Sequence, residues 1–385
     1  MYKEIRYLPS EWSFFMTVAV VIFLFALYPA QESFSSQHLL FHNPSTGKVV
    51  YWSIDTTGQL KNRSRNDGWG PVGTWDMTPP WRMLAVQRYA GAQNLSHLIW
   101  QNTENGKLLY WSLDSTGVQS GMGWVATNSL PTSWQFGGIQ YNADKQGNPH
   151  LVFHNSDNGK AAYWKLDSTG SRKNASKGDG WNFINDDWTL LSPWSLIAVQ
   201  PNADHAGNDH LIWRNSRSGA TIYWKLDSTG VLKNRTLGDG WDYVSFSVEL
   251  VADPDWRVVA LQQNADKLGN DHLLFHNTRN GRVAYWQLDS TGVLKNREKG
   301  DGWDFVADSL LPSPWSFAAL QSNANGQNTD HIIWHNTESG KLAYWKLNSI
   351  GQLKNRSRSD GWGWISDDWQ PAPSWRVIGI DSAPY

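Results

Sequence analysis

The chain has 385 residues, a formal charge of −2, 26 tryptophans, 33 glycines and no cysteine. So neutral a balance offers no electrostatic footing for nucleic acid, and without cysteine there are neither disulfides nor thiolate metal sites. The length alone would suit two or three average domains, but an internal repeat overrides that prior.

The first element is an uncharged run from Trp12 to Tyr28, closed by Pro29-Ala30. Its large apolar positions include Trp12, Phe14, Phe15, Val20, Ile22, Phe23, Leu24, Phe25, Leu27 and Tyr28. Seventeen residues are at the short end for a membrane span and slightly long for a signal-peptide core. Tyr28-Pro29-Ala30 is a poor match to a small-x-small cleavage site. Residues 1–30 are therefore expected to form a retained transmembrane helix, its N-terminus cytoplasmic, with 31–37 as a short linker. A cleaved secretory signal is the alternative, and either puts the rest of the chain outside the cytoplasm.

From residue 38 one unit recurs. HLIWRNSRSGATIYWKLDSTG at His210 has counterparts starting at His38, His97, His150, His272 and His331, at intervals of 53 to 62 residues. Each holds two short runs rich in β-branched and aromatic residues around a Gly-ending connection, which is the chemistry of a β-hairpin. A Trp-led apolar strand precedes five of the hairpins, as WSLIAVQ does at 194, and a sixth, WRVIGID, stands alone at 375. Asp-Gly-Trp segments supply a fourth strand. The first unit lacks a Trp-led strand and the chain ends with a spare one, so the last strand completes the first unit and closes a ring. The expected fold is all-β: a six-bladed β-propeller of four-stranded blades over residues 38–385.

The order of elements in WSLIAVQPNADHAGNDHLIWRNSRSGATIYWKLDSTG resembles the FG-GAP/VCBS repeats of propellers such as the integrin α head, over residues 38 to 385. That resemblance implies calcium loops of the type Asp-x-Asn-x-Asp-Gly-x-x-Asp. Here the loops have degenerated. Asn142 and Asp144, Asn202 and Asp204, and Asn264 and Asp266 keep the first and third ligand positions, but the fifth is Gln146, Ala206 or Leu268 and the ninth is histidine. Losing two anionic ligands removes much of the attraction for a hard cation, so no metal is expected.

The six repeated histidines could bind metal or sense pH. Hydrogen bonding of each imidazole within its own loop is the expectation instead, because buried polar groups are normally satisfied locally. A second set, His42, His154, His276 and His335, is replaced by Gln101 and Arg214 in the other copies, which argues against an essential ligand. Trp52, Trp111, Trp164, Trp224, Trp286 and Trp345 are expected to fill the wedges between blades. The Asp-Gly-Trp tryptophans, Trp69, Trp181, Trp241, Trp303 and Trp362, are candidates for exposure and ligand contact.

A basic motif follows the Ser-Thr-Gly turns: Lys61 and Arg63, Lys173, Lys233 and Arg235, Lys295 and Arg297, Lys354 and Arg356. On one propeller face these could form a broken basic ring for an acidic partner, or pair locally with loop carboxylates. Unit two lacks the motif. Sequons at Asn62, Asn94, Asn174, Asn234 and Asn355 would carry glycans only in a eukaryotic secretory pathway.

No Gly-x-Ser-x-Gly or His-Glu-x-x-His occurs, and the contiguous Asp-Gly-Trp differs from the Asp-box spacing of six-bladed sialidases. The chain is accordingly expected not to be an enzyme and to need no cofactor. The function expected is that of an accessory or stabilising subunit docking onto the protein subunits of a membrane complex. A lectin-like module binding glycans through equivalent blade sites is the alternative.

Overall fold

The computed structural model describes residues 37–90, 95–141, 143, 148–245, 253, 255–324 and 329–381. The expected N-terminal helix and its membrane-facing residues lie outside this set, as do Asn142 and Asp144. Among the described residues there is no helix; the strands form six four-stranded antiparallel sheets.

Blades 2 to 6 span Trp81–Ala126, Trp134–Asn185, Trp194–Ser245, Trp256–Ala307 and Trp315–Trp364. In each, four consecutive strands lie side by side in chain order. Blade 1 takes its first strand, Arg376–Asp381, from the far end of the chain, where it pairs antiparallel with Gln37–His42. The ring is therefore closed by main-chain hydrogen bonds, as the spare Trp-led strand predicts. The six first strands touch one another in a circle and line the centre. Each has a bulge near its middle, such as the register shift between Leu196 and Ala198, which increases the local twist.

The second and third strands differ from a half-buried pattern: His210–Asn215 and Thr221–Lys225 are buried along almost their whole length. Each blade is sandwiched between two neighbours, so both of its faces are core. Leu211, Trp213 and Trp224 pack toward blade 3, while Ile212 and Tyr223 pack toward blade 5. The recurrent Tyr-Trp pair thus presents Tyr to the next blade and Trp to the preceding one. Trp111, Trp224 and Trp286 are at most 1% exposed, which confirms their place in the wedges.

One main-chain hydrogen bond recurs at all six seams. The residue two beyond the turn glycine donates its N–H to the outer strand of the preceding blade, as in Leu232 to the Ile184 carbonyl at 2.9 Å, and Leu60 to Ile365 at 2.7 Å across the closing seam.

Candidate functional site

The basic motif resolves into a local clamp. Lys61 Nζ lies 2.5 Å from Asp67 Oδ1, and Asn62 Nδ2 donates to the other carboxylate oxygen. Lys173 pairs with Asp179, Lys233 with Asp239, Lys295 with Asp301 and Lys354 with Asp360 in the same way. These aspartates are the Asp of Asp-Gly-Trp. The lysine ammonium, then the asparagine amide, hold each carboxyl below its usual range. The glycine that follows is required by close approach: a Cβ at Gly240 would lie 1.8 Å from the Asn234 carbonyl oxygen. The tryptophan then turns its indole N–H back onto the chain, Trp241 donating to the Arg235 carbonyl at 3.1 Å. Trp69, Trp181, Trp303 and Trp362 do likewise and all five are half-buried.

The arginines of the motif reach across the seams. Arg235 Nη2 meets Asp187 at 2.8 Å, Arg356 meets Asp308 at 2.9 Å, and Arg63 pairs with Asp368. Arg297 occupies the corresponding place in blade 5. Lys and Arg together are thus largely neutralised within the fold, by the local pairing with carboxylates that was the alternative to a basic ring. Four of the sequon asparagines belong to the same clamp, their Oδ1 atoms accepting the N–H two residues on.

The loops at 202–209 and 264–271 satisfy their aspartates with donors of the chain itself. Asp204 Oδ1 accepts N–H bonds from Ala206 and Asn208, and Oδ2 accepts from the Asn208 amide and from Lys225, whose ammonium is 2.6 Å away. Burial opposes ionisation of Asp204, but the Lys225 ammonium and these donors outweigh it and hold the carboxyl far below its usual range. In blade 5 Gln287 takes the place of the lysine, donating to Asp266 at 2.8 Å. Asn202 and Asn264 turn their side-chain oxygens onto the N–H of Gly207 and Gly269. Oxygens already committed to N–H donors and to an ammonium do not fit calcium, which needs six to eight free oxygen ligands.

The repeated histidines sit at the seams, and their environment differs from in-loop hydrogen bonding. His150 stacks on Tyr163 with centroids 4.1 Å apart, and His210 on Tyr223 at 4.1 Å. The turn glycine of the next blade covers the ring edge: a Cβ at Gly292 would come within 2.5 Å of His210 Nδ1. His38, His97, His150, His272 and His331 are covered by Gly117, Gly170, Gly230, Gly351 and Gly58 in turn. Stacking and close cover are thus the common surroundings of these rings, and His97 Nε2 in addition shares a hydrogen bond with Ser112 Oγ at 3.1 Å. Burial pushes His97 and His272 down to about 4, and His210 and His331 to about 3. Three of the second histidine set pin the loop that leaves their blade: His42, His154 and His276 bond the carbonyls of Met77, Leu190 and Leu311. Arg214 does the same to Trp256.

The seams are not alike at the rim. Between blades 3 and 4, Trp188 packs on Trp224 and Trp241, and between blades 6 and 1, Trp369 packs on Trp52 and Trp69. Between blades 1 and 2 the large apolar groups face solvent: Trp75 is 60% exposed, Met122 51% and Trp124 48%. Blade 2 lacks the Lys-Asn clamp, and Met122 occupies the strand position that Trp241 has in blade 4. Sequence reasoning missed this rim layer. Its signal was the shared Asp-Asp-Trp at 186–188 and 367–369.

No protein-family model matches the sequence, and no curated protein matches it. Similar solved structures include the calcium-binding protein regucalcin from Agrobacterium tumefaciens, 10% identical over 68% of this chain and 71% of that one, TM-score 0.39. A post-proline cleaving enzyme from Rickettsia typhi is 10% identical over 90% of this chain and 55% of that one, TM-score 0.41. Oligopeptidase B from Leishmania major is 8% identical over 87% of this chain and 49% of that one, TM-score 0.39. This chain spans about half the length of the two peptidases. These likenesses concern the fold alone. They nevertheless correct the expectation that the chain is not an enzyme, because enzymes stand among the proteins of like fold. The lack of a familiar catalytic motif does not separate the chain from them.

Proposed function

We propose that this propeller is an interaction module held at the outer side of a membrane by residues 1–30, docking a protein partner through its rim. The observation that carries the reading is the exposed group Trp75, Met122 and Trp124 at the seam of blades 1 and 2. Exposed large apolar groups gathered at one place are characteristic of partner surfaces, and Trp is enriched at their hot spots. A glycan-binding propeller working through equivalent blades should repeat one aromatic and polar set. Here the seams differ in what fills them. The order of strands and loops within each blade supports an FG-GAP/VCBS-like ancestry, with the ion replaced by Lys225 or Gln287. The uncharged run Trp12–Tyr28 supports the membrane assignment.

The test is purification of the full chain in mild detergent, with mass spectrometry of its N-terminus and its companions. An intact N-terminus with one stoichiometric membrane partner is the expected result. A mature chain starting near Gln31, alone in the soluble fraction, would overturn it.

A further inference from the structure

The seam between blades 5 and 6 carries the same Arg–Asp pair as its relatives, Arg356 with Asp308. In blades 3 and 6 the residue after that aspartate is a tryptophan, Trp188 or Trp369, lying on the two tryptophans of the next blade. In blade 5 the residue after Asp308 is Ser309. The two tryptophans it should cover, Trp345 and Trp362, instead wall a cavity of about 380 Å³ together with Trp315, Trp364, Leu353 and Arg356. Its lining is almost wholly apolar apart from the Arg356 guanidinium at its edge. Ser309, Leu310 and Leu311 line its remaining side, and Leu310 is 52% exposed.

We infer that this cavity is a binding site for the indole of a tryptophan carried by a partner polypeptide. The two sibling seams give the occupant's chemistry: the tryptophan pairs equivalent to Trp345 and Trp362 each close on a tryptophan at centroid distances of 4.8 to 5.5 Å. A buried aromatic anchor in a preformed pocket is the common form of an interface hot spot. This deepens the docking reading and rests on it.

The test uses the full chain in mild detergent and N-acetyl-tryptophanamide as the probe, followed by titration calorimetry. Wild type should bind it saturably. Ser309→Trp, which supplies the missing side chain from within, should weaken binding at least about tenfold and raise the melting temperature. Ser309→Phe should do the same to a smaller extent. Probe binding equal in wild type and both variants, or absent from wild type, overturns the assignment. So does binding of a methyl glycoside in its place that Ser309→Trp abolishes. A partner that co-purifies equally with wild type and Ser309→Trp would leave the docking reading intact while removing this site from it.

Discussion

At Gly240 the turn that leads into the outer strand passes so close to Asn234 that no side chain fits, and the clamp exists because that approach is possible. Gly240→Ala forces a Cβ against a carbonyl oxygen, not against a movable side chain. It should cost about 1–3 kcal/mol, read as a lower urea midpoint at unchanged slope. The seam histidines make a different prediction. Their folded pKa values lie below the ordinary 6.5, at about 4 for His97 and His272 and about 3 for His210 and His331. As pH falls below 6.5 the unfolded chain takes up protons first, so stability is complete above that value and declines toward pH 4. Each such group contributes a slope approaching 1.4 kcal/mol per pH unit. A urea midpoint constant between pH 7 and 4 would contradict the seam assignment.

At the scale of the element, residues 202–209 form a loop whose carboxylate, Asp204, is satisfied by donors of the chain itself. Lys225→Met strands a carboxylate that is barely exposed and should cost about 3 kcal/mol. Lys225→Gln, the blade 5 solution, should cost clearly less; equal losses on thermal melts would refute the role of Lys225 as the partner that Asp204 needs. The strand grammar of each blade is readable directly from the sequence, because hairpin turns and Trp-led strands are local signals. The charge of Lys233 and its counterparts is visible too, but its destination is not. Its partner lies six residues on, at Asp239, and only the folded turn brings them together. The histidines mislead for a related reason. A repeat shows that His210 is used six times, but that Gly292 of the following blade covers it depends on how blades stack.

For the whole molecule, ring closure is written in the linear order of residues, as the offset between the first and last units. Deleting Arg376–Asp381 leaves Gln37–His42 without its inner neighbour and should abolish a single cooperative melt. What the repeat conceals is where the ring departs from itself. Trp188, Ser309 and Trp369 occupy one stage of the rim, yet a one-residue difference in spacing hides their correspondence until the Arg–Asp pairs align them.

The docking claim is tested most directly by placing a photo-crosslinking phenylalanine at position 122 of the full chain expressed in cells, with position 268 of blade 5, 84% exposed, as the control. The account predicts one discrete crosslinked partner from position 122 and none from 268. Equal, diffuse labelling from both positions, or no adduct from either, would contradict it.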